Sequence, residues 1–144
     1  RKEFDEAVNE IFWCSNNLAK GIWRGELPYV KYMQDVVIRA AFAKLLEWYA
    51  AMLHGWQVTP GSYGKWLQKF LPQGIWEGVV KTYAGAGDTE IWDAQFEICR
   101  LTRVTGTALA AELGYEYPLQ DDLRVVDYLC HVRALPKDAV SFDG

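Results

Sequence analysis

Asn9-Glu10-Ile11-Phe12-Trp13-Cys14-Ser15-Asn16-Asn17-Leu18-Ala19-Lys20-Gly21-Ile22-Trp23-Arg24-Gly25-Glu26-Leu27-Pro28, continued by Tyr29 to Asp35, decides the fold of this chain. At about 100° per residue, Phe4, Val8, Ile11, Leu18 and Ile22 share one side of a helix, with only Ser15 interrupting the stripe. Glu10, Trp13, Asn17, Lys20 and Arg24 fall on the opposite side, flanked by Asn9 and Asn16. A large apolar ring thus sits among a carboxylate, amides and cations, where a plain surface helix rarely puts one. That face either packs on something outside this chain or lines a wet, partly apolar pocket.

Outward from that stretch, the pattern stays helical. Helix one is expected over residues 3–23, ended by Gly25, which tolerates a left-handed backbone. Leu27-Pro28 opens a second helix over 28–53, with Pro at or near the first helical position. Its apolar residues cover most of its circumference, which makes it central. Lys31, Asp35 and Arg39 recur at i, i+4, i+8, as an ion-pair ladder or with Asp35 turned toward the pocket of Trp13. His54-Gly55 closes this helix and a Pro/Gly-punctuated connection follows. Short helices are expected over 65–71 and 75–83, the latter with Ile75, Trp76, Val79, Val80 and Tyr83 inward. Asp88 reads as the N-cap of a helix ending near Leu113, with Gly114 just beyond it. Asp121 or Asp122 reads as the cap of a last helix running to Arg133, and Leu135-Pro136-Lys137-Asp138 begins a loose tail. No period-2 strand is visible, so the fold is read as all-α, a single helical bundle of five or six helices over residues 1–144.

Composition bounds the function. The chain has 144 residues, enough for one domain with a good core. Its net charge of −4 and lack of a basic run speak against nucleic acid and suit a cationic ligand. Seven Trp supply core or stacking surfaces for a ring-bearing ligand. Cys14, Cys99 and Cys130 lie far apart and are odd in number, which points to a reducing cytoplasm. No apolar run is long enough to span a bilayer, and no membrane partner is expected. The chain opens on Arg1 without an initiator Met, which suggests a piece of something longer.

Several catalytic readings fail. There is no Walker-type loop and no G-x-G-x-x-G. His54 and His131 are far apart, and the adjacent Cys130-His131 point in different directions on a helix, with Cys130 read on its apolar face, so no metal is expected. Gly61-Ser62 with Asp88-Thr89-Glu90 lacks the strand that would present two carboxylates to Mg²⁺. Arg124 and His131 lack the polar residue that ribonuclease-like helical domains place beside such an Arg.

Asn9-Glu10-Ile11-Phe12-Trp13 followed by Ala19-Lys20-Gly21-Ile22-Trp23-Arg24-Gly25-Glu26-Leu27-Pro28-Tyr29-Val30-Lys31-Tyr32-Met33 resembles the C-terminal domain of the aminoglycoside 6-adenylyltransferase (streptomycin adenylyltransferase) family. Leu46-Glu47-Trp48-Tyr49, Gly64-Lys65-Trp66-Leu67, Leu113-Gly114-Tyr115-Glu116-Tyr117-Pro118 and His131-Val132-Arg133-Ala134-Leu135-Pro136-Lys137-Asp138 extend the likeness over essentially the whole chain. The resemblance implies an N-terminal nucleotidyltransferase domain, absent from this chain, that holds Mg²⁺ and ATP. The helical domain would close the aminoglycoside site, and the fragment alone would be inactive. It implies transfer of AMP to the 6-hydroxyl of the streptidine ring of streptomycin. Glu10 is then the candidate base, with a solvated or interdomain carboxylate as the plainer alternative. Trp13 would contact substrate or pack on the other domain. Asn9, Asn17 and Asp35 are further substrate candidates. Lys20 and Arg24 would reach ATP phosphates or pair with Glu26. From another class, the chain reads as a non-catalytic helical module docking a protein partner through the Trp13 face. A family member whose native substrate is not an antibiotic is a third reading.

Overall fold

A computed structural model describes residues 1–137. Among the described residues every regular element is helical: α1 (Lys2–Trp23), α2 (Leu27–Tyr32), a π-helical segment (Met33–Ile38), α3 (Arg39–Leu53), α4 (Leu67–Phe70), α5 (Gln73–Lys81), α6 (Asp88–Leu113) and α7 (Leu119–Ala134). A 3₁₀ turn, Ser62–Gly64, precedes α4. α2, the π segment and α3 run as one continuous rod, so the described chain has six helical rods, as the all-α bundle reading expects. No described helix is long and apolar enough to cross a membrane.

The stripe read from the sequence is the core side of α1. Val8, Ile11 and Leu18 are fully buried, and Phe4 and Ile22 nearly so. They meet Phe42, Leu45 and Leu46 of α3, Ile98, Leu101 and Leu109 of α6, and Leu129 of α7 in one core. Ser15 interrupts the stripe without penalty because its hydroxyl is paired twice: it donates to Ile11 O at 2.6 Å and accepts from Gln95 Nε2 at 2.8 Å. The network continues as Gln34 Nε2 donates to Gln95 Oε1 at 3.2 Å and to Ile91 O at 3.1 Å. A buried polar chain thus ties α1, the π segment and α6 through their interior.

Gly25, at φ 73°, ends α1, and Gly114, at φ 72°, ends α6, both in the left-handed backbone that Gly adopts without a Cβ clash. Other boundaries differ from the sequence reading. The second helix is not α-helical throughout; an extra residue per turn at Met33–Ile38 turns Gln34 into the core. The 65–71 helix shrinks to Leu67–Phe70, and the 75–83 helix starts earlier, at Gln73 behind Pro72. Val80 and Tyr83 face solvent, because α5 buries Gly78 and Val79 against α6 instead. Asp88 is the first residue of α6 rather than its cap, which is Gly87. α7 starts behind Pro118, so neither Asp121 nor Asp122 caps it. Cys130 is exposed rather than on the apolar face. Leu135 to Lys137 is not loose: Trp23 Nε1 donates to Pro136 O at 3.2 Å, and Lys137 Nζ donates to Ile22 O at 2.9 Å. Asp138 lies outside the described residues.

Candidate functional site

Trp13 stands on the crest of α1, 69% exposed. One flank of α1 packs on α7 and the other on the π segment and α3, which leaves a groove on each side of the crest. The α1/α7 groove encloses about 740 Å³ and is lined by Glu6, Asn9, Glu10, Trp13 and Asn16 from α1, opposite Asp121 and Arg124 from α7, over a floor that includes Phe12 and Val125. The second groove, about 720 Å³, sets Glu3, Glu6 and Glu10 against Val36, Ala40, Lys44 and Trp48. Glu6 and Glu10 border both.

Glu10 is an exposed carboxylate on the border of both grooves. Its Oε1 accepts from the buried Cys14 thiol at 3.6 Å, one turn along the helix. Burial, then the nearby Glu10 charge, push the Cys14 thiol up to about 11, so it stays a protonated donor at neutral pH. On α7, Arg124 Nη1 lies 3.3 Å from Asp121 Oδ1 in an exposed pair. α7 itself is fixed from behind. The fully buried Asp122 accepts from Arg103 Nε at 2.9 Å and Nη2 at 2.6 Å, and from Tyr117 Oη at 2.6 Å. Burial and the bond to Asp122 hold the Tyr117 hydroxyl far above its ordinary ionisation range.

The structure brings together Asn9, Glu10 and Trp13 of the residues singled out in the sequence. Asn17, Lys20 and Arg24 lie outside this groove. Asp35 is on another rod, 3.4 Å from Lys31 Nζ, and does not line the pocket of Trp13. The ladder is also incomplete: Arg39 turns away to donate to Thr82 Oγ1 at 2.7 Å and Thr82 O at 2.8 Å, over the ring of Tyr83. Sequence reasoning missed Glu6, Asp121 and Arg124 as groove residues, and it set Asn16 beside the Trp13 face without singling it out. Glu6 was findable, since it lies seven residues, two helical turns, before Trp13. Asp121 and Arg124 were not, because only tertiary packing sets α7 beside α1. Among the described residues no three His, Cys, Asp or Glu side chains gather as a metal site.

The streptomycin adenylyltransferase family matches residues 1–132. An aminoglycoside 6-adenylyltransferase of Bacillus subtilis (strain 168) is 27% identical over 121 residues, which cover 84% of this chain and 43% of that protein. An aminoglycoside 6-adenylyltransferase of Campylobacter jejuni is 25% identical over 123 residues, 85% of this chain and 42% of that protein. The crystal structure of an aminoglycoside 6-adenyltransferase from Bacillus subtilis superposes with a TM-score of 0.81 at 25% identity, over 93% of this chain and 51% of that one. The chain therefore spans about half the length of the relatives it matches. With a family match over nearly its whole length and a shared helical fold, the chain belongs to the streptomycin adenylyltransferase family.

Proposed function

We propose that this chain is the substrate-side helical domain of an aminoglycoside nucleotidyltransferase, with the α1/α7 groove as the drug-binding half of its site. One observation carries the reading: a tryptophan 69% exposed shares a groove with the carboxylates of Glu6, Glu10 and Asp121. An apolar ring face beside acceptor-only groups suits a polyhydroxylated cation such as streptomycin, whose guanidinium groups donate to carboxylates and whose rings cover an indole.

In this reading the reaction joins the 6-hydroxyl oxygen of the drug to the α-phosphorus of ATP, and the bond to pyrophosphate breaks. The proton of the attacking hydroxyl passes to the Glu10 carboxylate, which acts as base. Asn9 and Trp13 orient the drug. Lys20 and Arg24, about 10 and 16 Å further along the axis of α1 than Trp13, lie beyond the drug groove and would meet the ATP phosphates. In this reading Mg²⁺ and most of the ATP contacts belong to the half of the relatives that this chain does not span. The chain alone is therefore expected not to transfer AMP.

The test is a calorimetric titration of streptomycin into this chain and into Trp13→Ala. Saturable binding that weakens ten-fold or more in Trp13→Ala supports the reading. Equal binding by both removes Trp13 from the site. A chain that takes up no drug favours the alternative of a helical module whose Trp13 face docks protein.

A further inference from the structure

The notable atom in the groove is not on a charged residue. Asn16 lines the α1 wall of the groove, facing α7, half-buried, and its Oδ1 is shielded from solvent without any hydrogen-bond donor. Such an acceptor is costly, because it has given up water and gained nothing in return. Among the described residues only Gln34 Oε1 and Thr102 Oγ1 share this condition. Both belong to residues with no exposure, Gln34 in the interior chain from α1 to α6. Asn16 differs in bordering open space beside Asn9, Phe12 and Trp13. Its amide hangs on a broad, soft torsion, so a strong donor seated in the groove can draw the oxygen toward it.

We propose that Asn16, rather than Asn17, is the amide that hydrogen-bonds the ligand, its oxygen accepting from an O–H or N–H of a polyhydroxylated cation lying against Trp13. The inference rests on the drug-binding reading of this groove and adds a specificity residue to it. A ligand rich in donors relieves the unpaired acceptor. One that presents only apolar surface there leaves it unpaired, so the groove discriminates against deoxygenated analogues at this point.

The fold and the ligand make opposite demands on Asn16, and that separates the two roles. Streptomycin is titrated calorimetrically into the wild-type chain, Asn16→Leu, Asn16→Asp and Asn17→Leu, and the thermal unfolding of each is recorded without drug. Asn16→Leu removes an unpaired acceptor at similar volume. It is expected to unfold at the wild-type temperature or above, yet to bind roughly ten-fold or more weakly. Asn16→Asp keeps the acceptor oxygen and retains binding, and Asn17→Leu stays within about two-fold of wild type. Wild-type affinity in Asn16→Leu overturns the proposal and leaves the drug-binding reading standing. A clear drop in the unfolding temperature of Asn16→Leu also overturns it, since the amide then serves the fold. A wild-type chain that binds no streptomycin overturns the drug-binding reading itself, and this proposal with it.

Discussion

At the scale of single residues, the three cysteines show how burial sets chemistry. Cys99 sits deep in α6, and burial, reinforced by the charge of Asp122, pushes its thiol up to about 12. The ordinary thiol, and so the unfolded chain, titrates near 9.0. Below that pH both states hold the proton. Above it the unfolded state releases the proton while the folded state keeps it, so stability falls as pH rises from about 9 toward 12. The denaturant midpoint is therefore expected to drop between pH 8 and pH 11, and to drop less steeply in Cys99→Ala. A thiol reagent at neutral pH should modify the exposed Cys130 and spare the buried Cys14 and Cys99. At this scale the sequence was half legible. The helical wheel located Trp13 as an apolar ring on a polar face. It put Asn17, about 40° from Trp13, ahead of Asn16, about 60° to the other side. Only the position of α7 makes Asn16 the groove residue.

Between elements, α7 is held to α6 by a clasp that the sequence disguises. Asp121 and Asp122 look alike as helix caps, and neither is one. Asp121 faces the groove, while Asp122 is buried against Arg103 and Tyr117. A buried carboxylate that loses its only cation is strongly destabilising. Arg103→Leu is thus expected to cost about 3 kcal/mol in urea unfolding. The double variant Arg103→Leu/Asp122→Leu should recover much of that loss, because it leaves no orphan charge. A double variant as unstable as the single one would mean that the clasp supplies net stability. The π segment was the least legible element. A helix apolar nearly all round carries no clear periodicity against which an extra residue per turn would stand out, and the reason for the insertion, the interior bond from Gln34 to Gln95, lies 61 positions away. The boundaries set by Gly25 and Gly114 were legible because a left-handed backbone leaves a local signature in the chain.

For the whole molecule, the family match and the half-length overlap set the natural assay. On the proposed function, in a protein that includes the other half of the relatives, Glu10→Gln lowers kcat for adenylylation of streptomycin by roughly 10²-fold or more. KM should change little, and so should the unfolding temperature, because Glu10 is exposed and its partner, the Cys14 thiol, is a weak donor. Undiminished turnover would remove Glu10 as the base. The all-α class, the family and half of one groove wall were readable in the chain. The opposite wall was not, since it is a property of packing. The crest position of Trp13 has an optical consequence as well. It is the most exposed of the large apolar residues on α1, and Glu6, Glu10 and Asp121 share its groove, offset by Arg124 and by Lys2 beside Glu6. Its emission should therefore be quenched more readily by caesium ions, drawn to that charge, than by iodide, which is repelled. Six of the seven Trp remain in Trp13→Phe, the exposed Trp56 and Trp66 among them, so the bias toward caesium should appear in the quenching that Trp13→Phe loses, and through it the indole reads the local electrostatic potential of the groove without any ligand present.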